Sequence, residues 1–305
     1  MYKLNQIKII LNEKQKAYIQ IHICVFLWGF TAIIGKLIEL KEVPLVWFRI
    51  FITCLSLLFI PRLWSGLKEI PPKSILQLAI IGCLVCVHWI CFYGSIKYSN
   101  VSVALSCLST ASLLTSLIEP LVSHKKVKLY EIFLGLIIIP GIYLIFYFTK
   151  FYLTGIILGI LAALLSSIFT ILNKHMVMKY NSLSITFIEL GSGLVFLTFL
   201  LPVYIKIFPD VNLIPSIHDL IYLTILALCC TTFPYVLSLK ALKHISAFTS
   251  TFTVNLEPIY GIIMAIIIFQ ENKELNSGFY LGTSIILVAI FIHPLLRKKF
   301  DKTGV

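Results

Sequence analysis

Glu257 and Pro258 stand in the middle of an otherwise apolar run, Ile245 to Glu271, with Asn255 just before them and Tyr260 just after. Proline lacks the N–H that the carbonyl of Val254 would accept, and its ring crowds the preceding turn, so a helix through this run is expected to bend at Pro258. A carboxyl one residue earlier is costly in hydrocarbon, and such groups face a bundle interior or a wet cavity, where they bind a solute or pass a proton. The alternative is a kink that serves packing, with Glu257 neutral and hydrogen-bonded to a neighbour. The set Asn255, Glu257 and Tyr260 is the first candidate for substrate binding or coupling, with Pro258 as the structural kink.

Other polar and aromatic groups sit in other apolar runs. His88, Trp89 and Tyr93 form one group: at helical spacing His88 shares a face with Cys91, and Trp89 with Tyr93. His88 is either a packing residue or, since an imidazole titrates near neutrality, a proton carrier. Trp28, followed by Gly29, is flanked by too many apolar residues for an interface anchor and is a candidate to stack on a solute. The run from Val101 to Val122 is rich in hydroxyls, and Ser102, Ser106, Ser109 and Ser116 fall near one stripe, offering either close helix packing or a hydrogen-bonding cavity wall. Arg49 lies four residues inside its run near the outer surface, where it either snorkels or draws an anionic or zwitterionic solute, with Glu189, in the outer third of the seventh run, as a possible partner. Glu119, next to Pro120 and close to Lys125 and Lys126, reads as a gate or a structural ion pair.

These residues need helices to hold them at membrane depth. Of the 305 residues, 59% are apolar and 12% charged, and the mean hydropathy is +0.98, which excludes a soluble domain. The net charge of +12 does not point to nucleic acid, because the basic residues lie between the apolar runs. Ten runs of spanning length are legible: Tyr18 to Ile38, Leu45 to Pro61, Ser74 to Ile96, Val101 to Val122, Tyr130 to Phe148, Thr154 to Val177, Leu183 to Ile205, Leu220 to Leu239, Ile245 to Phe269 and Phe279 to Leu296. In alternate connections the side holding the N-terminus carries 18 of the 25 Lys and Arg residues, which places both termini in the cytoplasm. The first run has no small-residue cleavage pattern and reads as a retained helix.

The expected fold is therefore an all-α integral membrane protein of ten transmembrane helices. Five runs precede Lys150 and five follow it, so similar halves would be inverted repeats. The halves echo each other in Ser95-Ile96-Lys97-Tyr98 and Ala241-Leu242-Lys243-His244, each followed by a serine, at 102 and at 246, and later in Leu134-Gly135 and Leu281-Gly282. Glu119-Pro120 and Glu257-Pro258 do not align, since Lys97 to Glu119 is longer than Lys243 to Glu257. The organisation expected is a cytoplasmic segment over 1–17, one five-helix unit over 18–148, a second over 154–296, and a basic cytoplasmic tail over 297–305.

No metal site or cofactor is expected. The eight cysteines lie in apolar runs as small packing residues, and Cys83 and Cys86 have CxxC spacing without a second pair or a loop. A nucleotide-binding GxxxxGK[ST] stretch is absent, as are HExxH and GxSxG, and no loop is long enough to hold a catalytic domain. An integral enzyme acting on a lipid or isoprenoid substrate, or a transporter-like sensor, is the alternative to a gradient-driven transporter.

Residue by residue, the chain resembles the EamA-like transporters of the drug/metabolite transporter superfamily. Trp28-Gly29-Phe30, Lys36, Pro44 and Phe48-Arg49 look like that family's opening pattern, and Glu257-Pro258, Phe269-Gln270-Glu271 and Gly282 are similar to its second-repeat signature. The resemblance covers roughly 18–148 and 154–293. It departs in the first half, where Leu114 or a near neighbour stands in place of the proline and Lys126 or Val127 in place of Glu271. The resemblance implies a multi-pass permease in a bacterial inner membrane, exporting a small amino-acid-like or drug-like metabolite by alternating access, often against protons. The implied partners are that solute, protons and the lipid bilayer.

Overall fold

A computed structural model describes residues 12–124, 126–147, 152–270 and 277–300. The N-terminal residues 1–11, Lys125, Glu271 and the tail beyond Phe300 lie outside the described residues. Among the described residues every regular element is helical. The helices are α1 (Glu13–Leu37), α2 (Glu42–Leu58), α3 (Pro61–Leu67), α4 (Pro72–Tyr98), α5 (Val101–Leu108), α6 (Ala111–Ser123), α7 (Leu129–Tyr147), α8 (Leu153–Met176), α9 (Ser182–Ile207), α10 (Ile217–Ala227), α11 (Phe233–Leu242), α12 (Ala247–Val254), α13 (Glu257–Phe269) and α14 (Ser277–Phe300). One π-helical turn, Leu228–Thr232, joins α10 to α11.

Each expected apolar run coincides with a helix or a broken pair. Seven described spans are long and apolar enough to cross a membrane, or eight if α2 and α3, bent by 93°, count as one. That bend corrects the second run. Its helix starts earlier, at Glu42, and stops at Leu58, because Pro61 opens a new helix at a position where its missing N–H costs nothing.

The fourth and ninth spans are both broken, and the breaks match. The two halves of each are 8 and 13 residues long, separated by Ser109-Thr110 in one span and Asn255-Leu256 in the other. Each opens on a side-chain cap: Asn100 accepts from Val103 N at 2.8 Å, and Ser246 from Thr249 N at 3.0 Å. Each is followed by a left-handed residue, His124 (φ 49°) and Gln270 (φ 54°), the two non-glycine positive-φ residues described. All these positions correspond at one offset, 100 to 246 and 124 to 270, so Ser246 is the counterpart of Asn100 and not of Ser102.

The breaks have different local causes. In the ninth span the amides of Asn255, Leu256 and Ile259 each bond three residues back, and Pro258 falls in the first turn of α13, two residues past the break. The side chain of Pro258 lies outside the described residues. The fourth span breaks without a proline. There Thr110 N bonds Cys107 O at 3.1 Å, and the hydroxyls of Ser109, Thr110 and Ser112 bond the carbonyls of Leu105, Cys107 and Ser109, which offers the backbone partners other than the helical ladder.

Close packing positions α9, which carries Glu189, against α4, which carries His88 and Trp89. Gly82 makes this possible, because a Cβ there would land on the backbone carbonyl of Glu189. Gly82→Ala is expected to lower unfolding stability by about 3 kcal/mol, the upper part of the range for overpacking. Thermal unfolding of the detergent-purified protein checks this, and an unchanged midpoint would mean the two helices are free to separate.

Candidate functional site

Arg49 is the largest fully buried side chain, 1% exposed on α2. Snorkelling to the surface is therefore excluded. Its Nε donates to Thr231 Oγ1 (2.6 Å), its Nη1 to Tyr93 Oη (2.7 Å) and its Nη2 to the Cys230 carbonyl (3.4 Å), while its guanidinium lies 4.1 Å from the Trp89 ring centroid. The acceptor at Cys230 exists for a reason in the sequence. Pro234, four residues on, has no N–H to give that carbonyl, and the π-turn forms there. The hydroxyls of Thr231 and Thr232 bond carbonyls five residues back, at Leu226 and Ala227 (2.7 and 2.9 Å). This receptor for Arg49 was missed in the sequence, where Thr231-Thr232-Phe233-Pro234 was its signal.

Beside Arg49 lies a cavity of about 110 Å³, enough for several waters or a small solute. Both halves of the chain line it. From the first come Trp28, Arg49, His88, Trp89 and Phe92; from the second come Phe169, Thr170, Asn173, Tyr235, Ser250, Thr251 and Glu257. Most of the wall's surface is apolar, and Arg49, His88, Asn173, Glu257 and several hydroxyls are set among its aromatic and aliphatic side chains, a make-up suited to a small-molecule site.

The structure gathers some of the expected residues here and sends others elsewhere. Glu257, 5% exposed at the start of α13, faces the cavity, and its carboxyl has no hydrogen-bond partner among the described residues. His88 lines the wall, with Nδ1 2.7 Å from the Ala162 carbonyl, which requires a proton on that nitrogen; its ring lies against Phe169. Tyr93 is fully buried behind the wall as a partner of Arg49.

Asn255 stands at the break of the ninth span and donates to Ser112 Oγ (2.9 Å), tying the two broken spans together next to their breaks. Tyr260 points away from the cavity, onto Gly29 and edge-on to Phe26. Ser106 and Ser109 are buried and take no part in the cavity lining, where α5 contributes Leu108. Of the stripe, Ser109 and Ser116 give their hydroxyls to the carbonyls of Leu105 and Leu113 in their own span, and off the stripe Thr115 Oγ1 meets Ser167 Oγ of α8 at 2.9 Å.

Two further acids have definite partners. Glu189 lies in the first third of α9, not the outer third, and is fully buried. It accepts from Tyr235 Oη (2.7 Å) and Asn173 Nδ2 (3.3 Å), so its partners are these two and not Arg49. Glu119 accepts the Phe248 amide at 3.0 Å, placing its carboxyl at the N-terminal end of α12, where a negative charge is favoured. Pro120 is inside α6, one residue later. Glu119→Ala is expected to lower stability by roughly 1–2 kcal/mol and Glu119→Gln by less, since the amide oxygen still accepts. Chemical unfolding of the purified variants checks the order.

The family model of the EamA-like transporter family matches residues 15–147 and 153–293. The chain is 25% identical over 268 residues to an uncharacterized transporter, YxxF, of Bacillus subtilis (strain 168), covering 83% of this chain and 82% of that one. It is 22% identical over 301 residues to an uncharacterized transporter of Clostridium kluyveri, covering 93% and 95%. A solved crystal structure superposes with a TM-score of 0.67 at 13% identity, covering 92% of this chain and 98% of that one; it is similar in fold.

Proposed function

Since the chain belongs to the EamA-like transporter family, a family of membrane transporters and not of enzymes, we propose that it is a secondary transporter that binds a small amino-acid-like or drug-like metabolite in the cavity beside Arg49. The observation that carries this reading is the cavity lined from both halves, with Glu257 in its wall beside Arg49 and the Glu257 carboxyl without a hydrogen-bond partner among the described residues. Trp28, Trp89 and Phe169 pack on the apolar part of the solute. Glu257 either binds a polar group of the solute or takes up the proton that drives export.

The arrangement proposed is ten spans in two inverted five-helix units, 18–148 and 154–296, with cytoplasmic termini in a bacterial inner membrane. The matching 8-plus-13 breaks at one offset support it. Contacts at the two ends support it as well. Lys97 Nζ bonds the Ile38 carbonyl, Glu39 N bonds Asp219, and Tyr204 bonds Glu42, all at or next to helix ends on the poorly basic side. Lys174 bonds the carbonyls of Leu242 and Lys243, and Glu119 bonds Phe248 N, on the basic side.

The experiment is untargeted metabolite profiling of medium and cytoplasm from cells expressing the wild type or Glu257→Gln, at two external pH values. One compound class should leave the cell with the wild type, depend on pH and stop with the substitution. Equal movement of a compound by both proteins at both pH values would remove Glu257 from the mechanism, and no difference from empty cells would remove the transport reading for that panel of metabolites.

A further inference from the structure

Two buried oxygens, one on a cavity-lining residue and one just behind it, have no hydrogen-bond donor: Oδ1 of Asn173 and Oε1 of Glu189. Both residues are at most 1% exposed, and they belong to one network, since Asn173 Nδ2 and Tyr235 Oη both donate to the other carboxyl oxygen, Oε2. Asn173 and Tyr235 line the cavity, whereas Glu189 sits behind them. A fully buried carboxyl with one satisfied oxygen and one bare oxygen is an incomplete arrangement, because an unmet buried acceptor is costly.

Donor and acceptor chemistry dictates what completes it. An ionised carboxylate only accepts, so it holds the Asn173 amide with its N–H₂ toward Glu189, and the amide carbonyl is left over. A protonated carboxyl also donates. The amide then gains by turning over, so that the carboxyl O–H is given to the Asn173 carbonyl and the N–H₂ group is released. Tyr235 can donate to the carboxyl in either state.

We propose that Glu189 is a second ionisable residue of the transport cavity and acts through Asn173, whose amide offers the cavity an acceptor when Glu189 is ionised and a donor when it is protonated. The proton comes from solvent water in the cavity and returns to it, and no other bond is made or broken. This rests on reading the cavity as the transport site, and it narrows the solute to one carrying a donor such as an ammonium group. Such a solute is held by the Asn173 carbonyl and loses that partner when Glu189 takes up a proton. Glu189 is thus a positioning residue and Asn173 the group that meets the solute.

The surrounding charges leave this role to Glu189 itself. Ionisable groups on the helices packed against α9 include Arg49 of α2, Cys86 and His88 of α4 and Tyr235 of α11, while Arg62 of α3 is exposed. Arg49 is held by Tyr93, Thr231 and Cys230, and His88 is bonded to Ala162. Lys174, next to Asn173 on α8, is held by the carbonyls of Leu242 and Lys243. Among the described residues only Tyr235 and Asn173 bond the Glu189 carboxyl.

The test is infrared difference spectroscopy of the full chain in lipid, containing isotope-labelled asparagine, cycled between acidic and alkaline buffer with no solute added. The wild type is expected to show an asparagine side-chain carbonyl band that shifts with pH. The shift should vanish in Glu189→Gln and in Asn173→Ser, persist in Glu257→Gln, and persist at a displaced midpoint in Tyr235→Phe, which keeps both partners and guards against a folding failure in the other variants. A wild type without the band, or a band that survives Glu189→Gln, overturns the proposal. Because no solute is used, failure of the transport reading leaves this result unaffected, and a negative result here leaves transport through the cavity standing.

Discussion

Glu257→Gln is expected to cut transport of the cell's own solute by about 30- to 4,000-fold, as removal of a buried charge from a binding contact costs about 2–5 kcal/mol. The same change should leave the protein as stable as before or slightly more so. The Glu257 carboxyl is buried and has no hydrogen-bond partner among the described residues; what it gains from the fold is the attraction of Arg49, and the desolvation of an acid that an uncharged isostere relieves offsets the loss of that attraction. Activity lost with stability retained is the pattern of a residue kept for function at some cost to the fold. Export assays and thermal unfolding on the same preparation separate this from a structural role. A destabilised variant with normal export would reverse the assignment.

Arg49→Ala should behave in the opposite way, with stability and transport falling together. The substitution removes three hydrogen bonds and the Trp89 contact and leaves the Tyr93 hydroxyl and the Cys230 carbonyl buried and unmet. The expected loss is about 3–5 kcal/mol, from charged hydrogen bonds at 1.5–3 kcal/mol each less the relaxation of a collapsed site. Arg49→Lys keeps the charge but not the planar fork or its stacking, and should lose about half as much. Chemical unfolding in detergent measures both. If Arg49→Ala unfolds like the wild type but no longer exports, the guanidinium acts on the solute and not on the scaffold.

The positions of the helices were legible, because spanning length depends only on composition along the chain. Glu257 was legible for the same reason, as an acid in hydrocarbon is rare enough to stand out. Residues whose meaning depends on rotation about a helix were less legible. Tyr260 is only three residues from Glu257, close to one turn, yet it packs on Gly29 outside the cavity. Asn173, Thr170 and Phe169 form much of the wall but lie in a run with no charged residue at membrane depth to mark it. The break in the fourth span was missed because it uses hydroxyls in place of a proline, and the seat of Arg49 because it needs a π-turn that no periodicity reveals.

The two broken spans also have a mechanical consequence. A helix of 8 residues is a rod of about 12 Å and one of 13 residues a rod of about 20 Å. A tilt of roughly 10° about either break would carry the end of the short rod about 2 Å and that of the long one more than 3 Å, by the same rise per residue. Asn255 and Ser112 fasten the two pivots to each other, and Glu119 on the long arm of one lever grips the amide of Phe248 at the tip of the short arm of the other. Neither lever can swing alone at that end, so the two halves are geared there like a pair of scissor blades.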